Sequence, residues 1–279
     1  MTSRSLAGKT VLISGGSRGI GLAIALRAAG DGANVTLLAK TDTPHPRLEG
    51  TVHTAADAVN ARGGKALAVV GDVRNDDDIA RAIDLTVETF GGIDIVVNNA
   101  SAIDLSPSST LEAKRYDLMQ DVNVRGTFML SRAAAPHLAL AENPHILSLS
   151  PPLNPSAKWL GAHTGYTLAK FGMTMVTLGM ASEFASQGIA ANTLWPRTTI
   201  ATAAVQNLLG GDRIMQASRT PEIYADAAYL VVTTSSRELS GRSLIVEDVL
   251  EASGLSDFSQ YAARPGTPDE ALFPDIFLD

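Results

Sequence analysis

Residues 9–21 read KTVLISGGSRGIG. The β-branched apolar run KTVLIS (9–14) predicts a strand, and the residues from about Gly19 to Gly30 carry a helical pattern. Between them Gly15, Gly19 and Gly21 stand in a GxxxGxG spacing. Glycine has no Cβ to hold a ligand away from the backbone, and a helix N-terminus favours negative charge, so a turn of this kind can cradle a pyrophosphate.

Outward from that turn the same alternation continues. NVTLLA (34–39), KALAVVG (65–71), IDIVVNN (93–99), HILSLS (145–150), IAANTLW (189–195) and RSLIVE (242–247) read as strands. Helical patterns fall within 51–62, through 77–90, within 111–142 and from about 164 to 187. Continuous apolar strands are buried on both faces, which implies a parallel sheet between two helical layers. Strand–helix alternation gives right-handed crossovers and hence a doubly wound, Rossmann-type α/β sheet of about seven strands in a single domain, 1–279. Segment 197–220 reads as a substrate-loop insertion and 252–279 as a C-terminal extension. Asp76, Asp77 and Asp78 read as an acidic first turn that suits the helix dipole.

The chain has 279 residues, 45% of them apolar, enough for one large core. A net charge of −7 with 22 dispersed Lys and Arg argues against a nucleic-acid partner, which needs a concentrated basic face. There is no cysteine, so thiolate chemistry and Cys-ligated metal are excluded, and five histidines without HxxxH or HExxH spacing predict no metal site. No run approaches the ~20 apolar residues of a membrane span, and the start lacks a signal-peptide pattern, so a cytoplasmic protein is expected.

The end of the second strand selects the dinucleotide. A carboxylate there would accept from the adenosine ribose of NAD, but the sequence is LLAKT, with Ala39 and Lys40. Lys40 and Arg18 can pair a 2′-phosphate instead, which predicts NADP(H). GDV (71–73) places Asp72 and Val73 at the next strand end, where Asp72 can accept from the adenine amine or cap the following helix.

Taken in order, GxxxGxG at 15–21, Asp72, NNA at 98–100, Asn123 within DVNVRGT, YxxxK at 166–170 and NTLWP ending at Pro196 resemble the short-chain dehydrogenase/reductase family over most of the chain. AKTDTPHPRLEGT, SPPLN and LWPRT resemble more narrowly a hydroxysteroid dehydrogenase-like branch whose members also carry a sterol-carrier domain, of which these residues hold no counterpart. The resemblance implies cofactor contacts at Gly15, Ser17, Arg18, Gly19, Ile20 and Gly21, and along the rest of the cleft at Asn98, Ala100, Lys170 and Pro196, with Asn98 also read as tying the fourth strand to its neighbours. It implies that Asn123 interrupts a helix and holds a water linking Lys170 to solvent, and that Lys170 binds the nicotinamide ribose. Three residues depart from the family pattern. Ser101 and Arg197 replace glycines, and Pro151 falls where the substrate-polarising serine is usual.

Tyr166 and Lys170 are four apart, so a helix presents them on one face. A tyrosine titrates near ~10, too high for proton exchange at neutral pH unless a neighbouring ammonium favours the phenolate. Tyr166 is therefore the expected acid/base. Proline cannot supply the missing donor, whose loss typically costs ~3 kcal/mol. Ser150 is the nearest candidate, although strand alternation can turn it away, and Asn154 or Ser156 can reach in instead. Met173, Met175 and Met180, with Gly172 and Gly179, suggest helix packing. That face and an aromatic tail, LFPDIFLD (272–279), predict a homodimer or homotetramer. Arg197, Arg213 and Arg219 are either solvated or hold a carboxylate or phosphates. The sequence thus predicts an NADP(H)-dependent oxidoreductase acting on a carbonyl or secondary alcohol, with an apolar, lipid-like substrate implied by the resemblance. The alternative is an NADP(H) sensor or assembly module with little turnover.

Overall fold

In a computed structural model of the protein, residues 4–44 and 49–279 are described. His45 and the rest of 45–48 lie outside them. The chain runs β1 (Thr10–Ser14), α1 (Gly19–Ala29), β2 (Asn34–Ala39), α2 (Val52–Ala61), β3 (Lys65–Val70), α3 (Asp76–Phe90) and β4 (Ile95–Asn98). It continues through α4 (Ala113–Met119), α5 (Gly126–Leu138), β5 (His145–Ser148), α6 (Ala157–Ala162), α7 (Thr164–Glu183) and β6 (Ala190–Trp195). The last elements are α8 (Gly211–Gln216), α9 (Pro221–Val232), β7 (Ser243–Ile245) and α10 (Val246–Ala252). The seven strands pair in parallel in the order β3-β2-β1-β4-β5-β6-β7. The winding direction reverses between β1 and β4, so the strand ends Ser14 and Asn98, paired in register, flank the crevice where such sheets bind ligands.

Neighbouring strand residues feed opposite cores, as a pleated strand requires. Ile13, Leu37, Val97 and Leu147 are buried against Ala25 and Ala28 of α1 and Ala227 and Ala228 of α9. Their predecessors or successors Leu12, Leu38, Val96 and Ile146 are buried against Ile83, Leu130 and Met180 on the other face.

Three regions differ from the sequence reading. The stretch 111–142 is not one helix: α4 and α5 are joined by a π-helical turn, Gln120–Arg125, with Asn123 inside it. Segment 197–220, read as a substrate-loop insertion, contains α8, and α9 follows it where the sequence reading assigned no element; Pro221 opens α9 at its first turn, where a missing N–H costs nothing, and so marks a helix start. The tail is not a loose extension either. Phe277 is fully buried in a cluster with Trp159, Tyr166 and Trp195 and Phe273 is 40% exposed, so only part of the aromatic tail is left as a reason for oligomerisation. Met173 and Met180 belong to the interior, Gly172 lies where a Cβ would meet Val124 Cγ2 at 2.7 Å, and only Met175 of the three methionines is exposed.

Candidate active site

The glycine turn is built for close approach. Gly15 and Gly19 have φ of 70° and 56°, which an L side chain resists. A Cβ on Gly15 would stand 2.8 Å from Asn99 Nδ2 and 2.9 Å from Ala100 Cα, and one on Gly21 would stand 2.5 Å from the same amide. Asn99 Nδ2 donates to Ser14 O at 3.0 Å and Gly15 O at 2.9 Å, fastening the turn to the end of β4. Asn98, expected near the cofactor, instead donates to Ser131 Oγ (2.9 Å) and Ser148 Oγ (3.2 Å) in the interior. It ties β4 to its neighbours and does not reach the cleft.

A cavity of roughly 860 Å³ opens over this turn. Gly15, Ser17, Arg18, Gly19 and Ile20 line its floor, whereas Gly21 lies beneath. Lys40, Asp72 and Val73 line one end and Ala100, Tyr166, Lys170 and Pro196 the other. An elongated dinucleotide fits this arrangement, with phosphates over a glycine cradle that side chains would fill. Arg18 is partly committed, its Nε and Nη2 donating to Glu49 O (3.0 Å) and Gly50 O (2.8 Å). Lys40 is 60% exposed with Nζ 3.7 Å from Asp72 Oδ2, leaving it able to meet a second anion. Both Asp72 carboxylate oxygens accept from Arg74, which an adenine amine would have to share. Burial pushes the Asp72 carboxyl up, but hydrogen bonds from Arg74 and the charges of Lys40 and Arg74 outweigh it and leave it below the ordinary value. Asn75, not Asp72, caps α3.

At the other end Tyr166 and Lys170 lie one turn apart on α7, 4% and 3% exposed. Lys170 Nζ donates to Leu149 O at 2.6 Å and lies 5.1 Å from the centre of the Trp195 ring. Burial lowers Lys170 to about 7, with Asp275 opposing. Burial raises the Tyr166 phenol well above its ordinary value and Asp275 adds to this, while a hydrogen bond with Ser101 works the other way. Asn123 is fully buried; its Oδ1 accepts from Ala102 N (2.8 Å) and its Nδ2 donates to Ala102 O (3.0 Å), so its side chain locks the π-turn to the loop after β4.

The reading of Ser150 as the missing donor is corrected here. Its side chain is fully buried and shares a 2.9 Å hydrogen bond with Thr174, whose Oγ1 is also 2.6 Å from Pro151 O. The hydroxyl is turned into the packing of α7, as strand alternation permits. Asn154 does not reach the cleft: its Nδ2 donates to Phe277 O (3.2 Å) and Asp279 Oδ2 (2.8 Å). Ser156 Oγ is buried without a hydrogen-bond partner among the described residues and does not line the cavity. Arg219, read as solvated or anion-binding, is 3% exposed, donating to Phe258 O at 2.9 Å and pairing with Asp269 at 3.0 Å. Arg197 pairs with Asp248.

Sequence reasoning missed Trp195, Tyr224, Asp275 and Ile276, all of which line the cavity. The tail places the last two. Trp195 Nε1 donates to Ile276 O at 3.0 Å, and the Phe277 ring stacks on Tyr166 with centroids 6.0 Å apart. Its aromatic content was the available signal, but it pointed outward as readily as inward.

A family model described as short chain dehydrogenase matches residues 9–211. The chain is 52% identical over 274 residues to hydroxysteroid dehydrogenase-like protein 2 of Danio rerio, covering 98% of this chain and 65% of that one, so it spans about two thirds of that relative's length. A crystal structure of a short chain dehydrogenase from Mycobacterium thermoresistibile is 55% identical, with a TM-score of 0.92 over 99% of this chain and 96% of that one. A metagenomic short-chain oxidoreductase in complex with NADP is 26% identical, with a TM-score of 0.69 over 86% of this chain and 97% of that one.

Proposed function

Because the chain belongs to the short-chain dehydrogenase family, oxidoreductases that act on CH–OH and C=O groups with a nicotinamide cofactor, we propose that it moves hydride between NADP(H) and a carbonyl or secondary alcohol of an apolar, lipid-like substrate. The observation that carries the reading is the pairing of Tyr166 with Lys170 at one end of a cavity whose floor is the glycine turn. Bound nicotinamide supplies or accepts the hydride. Tyr166 gives a proton to the carbonyl oxygen on reduction and takes it back on oxidation, and the Lys170 ammonium, one turn away, favours the phenolate in that second direction. Lys170 also holds the ribose, and Asn123 keeps the helix open beside it. Lys40 and Arg18 favour the 2′-phosphate. Ile103, Leu105, Leu118 and Ile276 give the substrate end an apolar wall.

Exposed Phe128 on α5 and Leu168 and Met175 on α7 support a homodimer or homotetramer. Among the described residues no helix is long and apolar enough to cross a membrane, and the cysteine-free composition supports a cytoplasmic place. The buried, turned-away Ser150 favours one second reading, an NADP(H)-binding module with little turnover. The test is a screen of ketones, aldehydes and 3-oxoacyl thioesters with NADPH and with NADH, the alcohol identified by mass. Reduction by NADPH with an apolar carbonyl carries the reading, and tight NADPH binding without reduction of any carbonyl carries the second.

A further inference from the structure

We infer that Asp275 supplies the hydrogen-bond donor this cleft lacks at Pro151: its protonated carboxyl, on the cavity wall beside Tyr166 and Lys170, donates to the oxygen of the reacting carbonyl. The inference rests on the oxidoreductase reading above and adds a residue to it. Asp275 is held on both sides. Its N–H donates to Arg197 O at 2.8 Å, Pro274 bridges Thr198, and Ile276 and Phe277 are fixed by Trp195 and Tyr166. Within the carboxyl, Oδ1 accepts from Ile276 N at 2.7 Å, which leaves it the carbonyl role. Oδ2 forms no hydrogen bond or ion pair with the described residues, and Asp275 lines the same cavity as Tyr166 and Lys170. A carboxylic acid in this state has one O–H to give and nothing in the protein to give it to.

The other candidates are committed elsewhere. Ser150 faces Thr174, Asn154 holds the chain at Phe277 and Asp279, and Ser156 is outside the cavity. Ser101 lines the cavity and favours ionisation of the Tyr166 phenol.

Burial raises the Asp275 carboxyl to about 7, helped by Glu247 and opposed by the Ile276 N–H and the Lys170 charge. The charged and titratable groups around it are Tyr166 and Lys170 of α7, Glu247 of α10 and Tyr224 of α9. Below that pH the carboxyl is neutral and donates. Above it the carboxylate would both lose the donor and disfavour charge on Tyr166. During reduction, hydride addition to the carbonyl carbon turns the C=O π pair into an oxygen lone pair. Tyr166 O–H protonates that oxygen, and one solvent proton restores the phenol. Asp275 keeps its proton throughout, and its hydrogen bond strengthens as charge builds on the oxygen.

The test compares Asp275→Asn and Asp275→Leu with the wild type in kcat on a reducible carbonyl, with NADPH affinity and melting temperature as controls. It also follows the Asp275 carboxyl by ¹³C NMR without cofactor, assigned from the difference between wild type and Asp275→Asn. The expected results are a kcat loss of about 100-fold in Asp275→Leu and a loss under about tenfold in Asp275→Asn, whose amide still donates. The carboxyl should titrate near 7, far above the ~3.9 of an ordinary aspartate. Asp275→Leu within threefold of wild type, Asp275→Asn as inactive as Asp275→Leu, or a carboxyl ionised below about pH 5 overturns the proposal. If the wild type reduces no carbonyl, it is the oxidoreductase reading that fails, and the carboxyl titration alone still decides the state of Asp275.

Discussion

Replacing Phe277 with alanine tests whether the tail is packed into the wall of the cavity. The ring is fully buried and lies 5.2 Å from the Phe171 centroid and 6.0 Å from those of Tyr166 and Trp195. Phe277 has φ of 75°, and alanine there carries the same backbone strain, so the difference between the two proteins is packing. Emptying a well-packed phenylalanine site costs roughly 3–5 kcal/mol. For a chain of this size that corresponds to a fall in melting temperature of roughly 5–15 °C. If the tail detaches instead of leaving a void, the loss is capped at its docking free energy, and the segment after Leu272 becomes open to proteases. The chain has two tryptophans, Trp159 and Trp195, and the Phe277 ring lies 5.9 Å and 6.0 Å from them. Urea unfolding followed by tryptophan emission therefore reads the site and the global transition together. A loss below about 1 kcal/mol, with unchanged native emission and no new cleavage, would refute the packing argument.

Lys40→Ala should erase a preference of at least about tenfold for NADP(H) over NAD(H), about 1.4 kcal/mol, in fluorescence titrations of both cofactors. Ser150→Ala should leave turnover within about threefold of wild type, because its hydroxyl serves Thr174 and not the cleft. His145 is fully buried, donates from Nε2 to Thr234 O, and is lowered by burial to about 4. Unfolded, it would titrate near 6.5. Its contribution is therefore intact above pH 6.5 and is lost as pH falls toward 4, by roughly 3 kcal/mol in all. Urea midpoints from pH 7 to 4.5 should fall less steeply in His145→Gln than in wild type.

The sheet was legible because each strand is a short apolar run and each crossover a helical pattern; NVTLLA is the observed β2 residue for residue. Helix α7 was legible from its helical pattern over about 164–187, with Tyr166 and Lys170 four residues apart on one face. Helix α9 was not, since its proline reads as a breaker unless the first turn is recognised. Ser150 was misplaced because a one-residue offset on a strand reverses the face, and no spacing rule says which of Ser150 and Pro151 points into the cleft. Asp275 was invisible for another reason. It reaches Lys170 only through the docking of Phe277 some hundred residues further along, and aromatic composition does not say what a ring will pack against.

The central claim is that Tyr166 moves a proton in a cavity that binds the cofactor. The most direct measurement is NADPH-dependent carbonyl reduction by wild type and Tyr166→Phe, with NADPH affinity measured on both. Wild type should oxidise NADPH and yield one alcohol per cofactor, and the variant should lose at least about 100-fold in kcat while binding NADPH within about twofold of wild type, since the ring still packs against Phe277 and only the proton-transfer group is gone. Equal rates for the two proteins on a carbonyl that the wild type reduces would contradict the account.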